Sequence, residues 1–316
     1  MSVAVGLGLM DFPFAGASDY WRWVDLCEAS GVDSLWQTDR LVSRQPILEC
    51  MATMAALAGR TRRLRFGMNV VSLALRDPVL LAKQCATIDV LSEGRLLPAF
   101  GIGSPLGPEW QALDIDTRTR GKVTDEALEI IARLWREDSV DFDGAHFRLK
   151  GASISPKPVQ PDLPMWIGGA SEAAIRRTAR YGTGWQAGGE TPVDAGKVVA
   201  AIKKAVKEAG RTIDQDHYGA GFPFYFGSAG DSVLTAAKEA YAKRTGRDPT
   251  HYFAIGDEQV ILQRVAEYVA VGVEKFILRP VGPDIMGQTK RLIERVLPLV
   301  ETRWPKTAPK TAKAHA

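Results

Sequence analysis

The chain is poor in the residues on which protein-only chemistry usually depends. Its 316 residues include four histidines and three cysteines. His146, His217, His251 and His315 stand far apart, and no His-Glu-x-x-His, Cys-x-x-Cys or paired His/carboxylate spacing occurs, so a dedicated metal site is not expected. A Gly-x-Ser-x-Gly nucleophile elbow and a Walker lysine loop are also missing. Cys27, Cys50 and Cys85 each fall inside a predicted helix, and an odd number without close spacing argues against a disulfide framework and for a reducing compartment. The first residues, MSVAVGLGLMDF, lack a basic stretch and an adequate apolar run, so they read as a strand rather than a secretion signal. No apolar run approaches the ~20 residues that span a bilayer. These absences predict a cytoplasmic protein with no membrane partner.

A strong charge of one sign is missing too. The net charge is +3, but Lys306, Lys310 and Lys313 lie in an acid-free segment after Trp304; without them basic and acidic residues balance at 37 each. The body therefore offers no basic footprint for nucleic acid. What is present is ordinary globular material, 46% hydrophobic and 24% charged, able to bury a sizeable core.

Strands and helices alternate along the chain. The stretch from Thr61 to Gly103 predicts strand, loop, helix, tight turn and strand, with Asp77 capping a helix that begins at Pro78. Ser18 or Asp19 is expected to cap the first helix, with Gly31 beyond its end, and a second helix is expected from Pro46. Val123, Ala127, Ile130, Ile131, Leu134 and Trp135 recur at helical spacing and predict one buried stripe. Ser139–Lys150 reads as a hairpin turning at Asp143-Gly144. A strand over Tyr218–Gly227 and a last helix from Gln288 are also predicted. Eight strands with intervening helices fit an α/β fold of the TIM (β/α)₈ barrel type, with insertion segments. The rival is a doubly wound open sheet, whose first strand-to-helix turn usually carries a glycine fingerprint. Neither Gly6-Leu7-Gly8 nor Gly101-Ile102-Gly103 continues with the third glycine at the required spacing. The expected organisation is one domain over residues 1–303, with insertions at about 104–118, 138–163 and 228–253 and a flexible basic tail at 304–316.

In such a barrel, function belongs at the C-terminal ends of the strands. Those ends carry Asp39 and Arg40, Asn69 and Val70, Gly101 and Gly103, Gly168 to Ser171, Gly188 and Arg279. Gly169, Ala170 and Ser171 open a helix, and there either an anion such as phosphate or a plain strand-to-helix turn fits. Asp39 and Arg40 read as a structural ion pair or as site residues. Asn69 is unusual within a strand and points to a bulge or a ligand contact. Few reactive side chains on a well-formed scaffold suggest that a bound cofactor carries the chemistry.

Eight segments in order then resemble one family. GVDSLWQTDRL, AALAGRTRRLRFGMNVV, DPVLLAKQCATIDVLSEGRL, FGIG, RGKVTDEALEIIARLW, VDFDGAHFRL, PKPVQPDLPMWIGGAS and FILRP resemble the bacterial luciferase-like flavin-dependent oxidoreductases. The resemblance implies flavin mononucleotide (FMN), or the deazaflavin coenzyme F420 in one branch, across the top of the barrel. It implies a non-proline cis peptide at Asn69–Val70 and a phosphate grip at Gly169, Ala170 and Ser171, and it sets Asp39 and Arg40 at the second-strand rim. Two departures stand out. Arg40 occupies a place where many deazaflavin users have histidine, and arginine does not exchange a proton at neutral pH. Ser104-Pro105-Leu106 replaces a carboxylate that some deazaflavin dehydrogenases carry. The expectation is a monooxygenase that takes reduced FMN from a separate flavin reductase and acts with dioxygen on a small organic molecule, with Asp39, Arg40 and Arg279 as catalytic candidates. The alternatives are a deazaflavin-dependent hydride-transfer enzyme and a flavin-free barrel for a phosphorylated metabolite. A homodimer is expected from the resemblance.

Overall fold

The computed structural model describes residues 2–305, so the predicted tail beyond Pro305 lies outside the described residues. Eight parallel strands close into a barrel. In chain order the strands are β1 (Ala4–Leu9), β2 (Ser34–Gln37), β3 (Arg65–Met68), β4 (Val71–Ser72), β5 (Leu96–Leu97) and β6 (Ala99–Gly101). A hairpin of β7 (Val140–Asp143) and β8 (Arg148–Ala152) stands apart, followed by β9 (Trp166–Gly168), β10 (Gly184–Gln186), β11 (Tyr218–Ala220), β12 (Pro223–Tyr225), β13 (Ala254–Ile255) and β14 (Lys275–Pro280). The sheet order β4-β6-β9-β10-β11-β14-β1-β2-β3-β5 begins and ends on two halves of the same strand pair: β3 and β4 form one barrel strand, β5 and β6 the next. The ring is thereby complete. Following partners such as Leu278↔Leu7, Leu35↔Phe66 and Phe66↔Leu96 around it returns to β14 displaced by about eight residues, the stagger of an eight-stranded barrel.

Glycine and tryptophan fill the interior. Trp36 and Trp166 point inward and meet edge-on, with ring centroids 6.1 Å apart, beside Leu97, Ala99 and Ile277. A barrel this narrow holds two indoles only if neighbouring strands give up their side chains. A β-carbon on Gly67 would lie 2.7 Å from the Trp36 ring, one on Gly184 2.7 Å from the Trp166 ring, and one on Gly219 3.0 Å from it. At the N-terminal end the buried Lys275 ammonium pairs with Asp33 and closes the floor.

The helices form the outer layer: α1 (Ala17–Glu28), α2 (Cys50–Arg60), α3 (Pro78–Leu91), the short α4 (Glu109–Ala112), α5 (Arg120–Arg136), α6 (Glu172–Tyr181), α7 (Pro192–Glu208), α8 (Thr235–Thr245), α9 (Glu258–Ala270), α10 (Ile285–Arg291) and α11 (Leu297–Arg303). Where a side chain caps the start, the boundary is sharp. Asp77 accepts from Leu80 N at 2.8 Å and Ser171 from Ala174 N at 3.2 Å. No helix among the described residues is long and apolar enough to cross a membrane.

Several expected boundaries move, each for a local reason. The first helix starts at Ala17 with Gly16 at its N-cap and no side-chain cap; Asp19 instead pairs with Arg22 at 3.2 Å, and the helix closes at Ala29 rather than Gly31. The second begins at Cys50, because the Glu49 carboxylate accepts from Ala52 N at 2.7 Å and fixes the start there. The β7–β8 turn is a wider loop, closed by Gly144 N donating to Phe147 O, and Glu126 of α5 holds its amides. The strand expected over Tyr218–Gly227 breaks into β11 and β12. The last helix starts three residues early, at Ile285, and contains a π-turn over Leu292–Val296. On α5, Val123 is only half-buried, and Thr124 and Leu128 join the buried stripe instead.

Candidate functional site

The third barrel strand gains one extra residue at the mouth. Phe66 pairs with Leu96, but Val71 pairs with Phe100, so the third strand gains a residue on the fourth between these two registers. The gain falls at Asn69–Val70, whose peptide bond is cis, as the resemblance implied. Val70 then turns inward and packs against the inner cluster, while Val71 joins the outer core. Two bare glycines receive it. A β-carbon on Gly101 would lie 2.8 Å from Val70 Cγ2, and one on Gly168 3.0 Å.

A cavity of about 130 Å³ lies between α5 and α6. Gly101, Gly168 and Gly169 line it together with Ala170 and Ser171 at the start of α6 and with Thr124, Leu128 and Arg177. Gly169 has φ +109°, a left-handed conformation that glycine adopts without penalty. Ser171 caps α6, so the first helical N–H groups open toward the cavity with the positive end of the helix dipole behind them. Arg177 lines the cavity while bonded to Asp125 at 2.6 Å and to Gly121 O at 3.0 Å. Thr124 is 1% exposed, and its hydroxyl has no hydrogen-bond partner.

The second-strand rim corrects an expectation. Asp39 and Arg40 do not pair. The Asp39 side chain, 2% exposed, turns beneath β4, where it accepts from Ser72 N at 3.1 Å and binds Arg76 at 2.5 Å. Arg76 also reaches Glu49 at 3.0 Å. Burial pushes the Asp39 carboxyl above its ordinary value, with Arg76 and the Ser72 amide opposing. Arg40 is exposed, and its charge bears on Asp11, working against the upward push that burial gives that carboxyl.

The opposite wall is built by β14 and the segment before α9. Arg279 is 8% exposed and donates to the Tyr252 hydroxyl at 2.8 Å; no carboxylate among the described residues pairs with it. Tyr252 stacks on Tyr241 with centroids 4.4 Å apart, and Tyr241 in turn donates to Gly189 O at 3.2 Å. Gly188 N donates to the Glu190 carboxylate at 2.6 Å. Gly103, with φ +71°, lies beneath the Trp110 ring, and Trp110 Nε1 donates to Ser104 O at 2.6 Å, so this indole is a packing residue. Away from the mouth, Asp214, Asp216 and His217 bring ligand-type atoms within 4.8 Å of one another, but both acids are exposed on a surface turn.

The model of the luciferase-like monooxygenase family matches residues 15–271. The chain belongs to that family. Uncharacterized proteins of Mycobacterium tuberculosis and Mycobacterium bovis are 35% identical to it over 169 residues, 53% of this chain and 57% of theirs, so the chain spans a little over half the length of these relatives. Among solved structures, an F420-dependent secondary alcohol dehydrogenase in complex with an F420-acetone adduct superposes with a TM-score of 0.82 at 19% identity, covering 95% of this chain and 99% of that one. The FMN-bound oxygenating constituent of 3,6-diketocamphane monooxygenase from Pseudomonas putida gives 0.71 at 15% identity, covering 94% and 98%. At such identities the likeness is one of fold.

In this luciferase-like barrel, Val70, Gly101, Gly168, Gly169, Ala170 and Ser171 fall together, as the strand-end reading grouped them. Asp39 drops below the mouth, and Arg40 stands outside on its surface. Sequence reasoning missed Thr124, Arg177 and Arg76. Thr124 had a signal: a lone hydroxyl three residues before Ala127 on an otherwise apolar stripe. Arg76 had none, because its partner is 37 residues away.

Proposed function

We propose that this chain is an oxidoreductase that binds FMN across the barrel mouth and, with the flavin reduced by a separate reductase, oxygenates a small organic substrate. One observation carries the reading: the inward-facing Val70 lies against Gly101 and Gly168, and both glycines line the cavity that reaches Ala170 and Ser171 at the start of α6. This arrangement suits a flat ring at one end and an anionic tail at the other. Reduced flavin held there would supply the electrons for dioxygen chemistry.

The chain's own residues position and shield. Val70 and the bare glycines support one ring face. Ala170 and Ser171 would present N–H groups to the tail, while the Gly169 amide donates to Gln186 O at 3.4 Å. Arg279 would offer a positive charge at the mouth, where it would stabilise negative charge developing on a bound ring or substrate. Tyr241 and Tyr252 wall off water on that side. The exposed Arg40 offers an anion contact but no proton exchange at neutral pH.

A second reading, hydride transfer with a deazaflavin, is favoured by the F420-dependent dehydrogenase with the same fold. Titration of the protein with FMN tests the binding common to the flavin reading: fluorescence should be quenched saturably, and no binding at ~100 μM, weak on the usual affinity scale, would refute it. Oxygen uptake by the reduced complex, with product formed in proportion, then separates oxygenation from anaerobic hydride transfer.

A further inference from the structure

Strand β14 carries two buried cations, and only one of them has a counter-charge. Lys275, Ile277 and Arg279 alternate along it onto the inner side: Lys275 pairs with Asp33 at the floor, Ile277 joins the inner cluster with Trp36 and Trp166, and Arg279 stands above that cluster at the mouth. Gly8 on β1 leaves room for it, since a β-carbon there would lie 3.7 Å from Arg279 Cγ. No carboxylate among the described residues pairs with Arg279. A buried cation without an anion works against folding, so stability gives no reason for it. Its Nη1 donates to the Tyr252 hydroxyl at 2.8 Å. Nε and Nη2 donate to nothing among the described residues, and neither is sealed from solvent. That edge is the one with which this chain grips its own carboxylates. Arg60 holds Asp25, Arg133 holds Glu137 and Arg177 holds Asp125, each through Nε and Nη2.

We propose that the open Nε–Nη2 edge of Arg279 receives a carboxylate of the substrate, so that the molecule oxidised at the mouth is a small organic acid. The inference rests on the flavin reading above and adds to it the class of substrate. The anion at Arg279 is not the cofactor tail. Strand β14 lies across the ring from β6, four strands away in either direction, whereas the cavity assigned to the tail is lined by Gly101 of β6 and Gly168 of β9. Two parallel N–H groups match the two oxygens of a carboxylate and set its orientation as well as its affinity. A monoanion balances the single charge. Arg247, which donates to Gly189 O on the same wall, already pairs with Asp194 at 3.4 Å, so it brings no spare charge that would favour a dianion.

The test measures calorimetric binding of acetate, hexanoate and benzoate, against hexanamide and benzamide, to wild type, Arg279→Gln and Arg279→Lys, each with and without FMN. At least one acid should bind wild type about tenfold or more tightly than its amide. Arg279→Gln should weaken that acid about tenfold or more, the loss of charged hydrogen bonds, and leave the amide unchanged. Arg279→Lys keeps the charge and loses the fork, so it should fall between the two. Without ligand, Arg279→Gln should melt close to wild type, because the charge it removes has no partner in the chain; a large drop marks a structural arginine and overturns the proposal. No acid bound at ~10 mM, beyond the millimolar end of the affinity scale, or an acid bound equally by wild type and Arg279→Gln, also overturns it. Inorganic phosphate held by the FMN-loaded protein more tightly than any acid, and lost in Arg279→Gln, overturns the choice of a monoanion. An anaerobic titration with reduced FMN covers the other source of negative charge: if Arg279→Gln weakens reduced FMN and leaves the acids unchanged, the fork serves the ring and the proposal falls. Failure of FMN to bind refutes the flavin reading alone, since the acids are also measured on the flavin-free protein.

Discussion

A β-carbon placed on Gly101 would stand 2.8 Å from Cγ2 of Val70, closer than real contacts allow. The two residues therefore fix each other: the absent side chain on β6 is what lets Val70 face the mouth. Gly101→Ala should push Val70 upward into the space assigned to the ring. The expected outcome is a loss of FMN affinity of tenfold or more with a stability cost of about 1–3 kcal/mol, as for overpacked cores. Fluorescence titration and denaturant unfolding of the same variant check both; tight FMN binding with an unchanged midpoint would refute this account.

Asp39 and Arg76 make a buried pair whose two halves respond unequally to pH. Arg76→Met leaves the carboxylate uncompensated beneath β4, which should destabilise the protein by about 3–5 kcal/mol. Burial already raises the Asp39 carboxyl above its ordinary value, and removing the arginine raises it further. A carboxyl whose folded pKa lies above the unfolded one favours folding in its protonated form, so the deficit of the variant should shrink as pH falls toward 5. Melting curves from pH 8 to 5 read this out. Asp39→Asn in the same background should restore much of the loss at pH 8.

Alternation and caps made the barrel legible. Asp77-Pro78 and Ser171 mark two helix starts within a residue, and Val70, Gly101 and Gly168 to Ser171 all stand at strand ends in the sequence pattern. The inner plug was less legible, though its signal was present: Gly6-x-Gly8 and Gly219-x-Gly221 alternate as inward strand positions must, and Gly67 and Gly184 match Trp36 and Trp166. The local pattern misled at Asp39-Arg40, because adjacency in sequence says nothing of which rim charge turns inward. Asp39's partner arrives from the loop before α3, a distance in sequence that no short-range pattern encodes.

The outer face of α3 carries two leucines that the fold leaves uncovered. Leu80 is 58% and Leu91 63% exposed, and three helical turns place them on one side. The neighbouring α2 exposes Ala52, Ala55, Ala56 and Gly59, small residues that permit close approach of a second helix. We propose that these helices meet their counterparts in a homodimer. Leu80→Glu combined with Leu91→Glu should convert the dimer to monomer in light scattering while circular dichroism stays unchanged. A wild-type monomer at micromolar concentration would refute the proposal.

Acid stability should report on the far end of the barrel. Burial works to raise the Asp33 carboxyl, but the Lys275 ammonium outweighs it, and the pKa falls to about 2. A carboxyl depressed in the folded state contributes stability above its unfolded pKa and loses it as pH falls through the folded value. Asp33 should therefore contribute stability above pH 4 that is lost progressively between pH 4 and 2, while the same burial lowers the Lys275 ammonium from its ordinary value. Asp33→Asn should lower stability at pH 7 by that contribution and more, since it leaves Lys275 buried without its counter-charge. The difference between wild type and variant should narrow across that acid window. Urea midpoints at pH 7, 4 and 2.5 give the comparison, and a gap that stays constant across them would show that the pair contributes nothing through its charge.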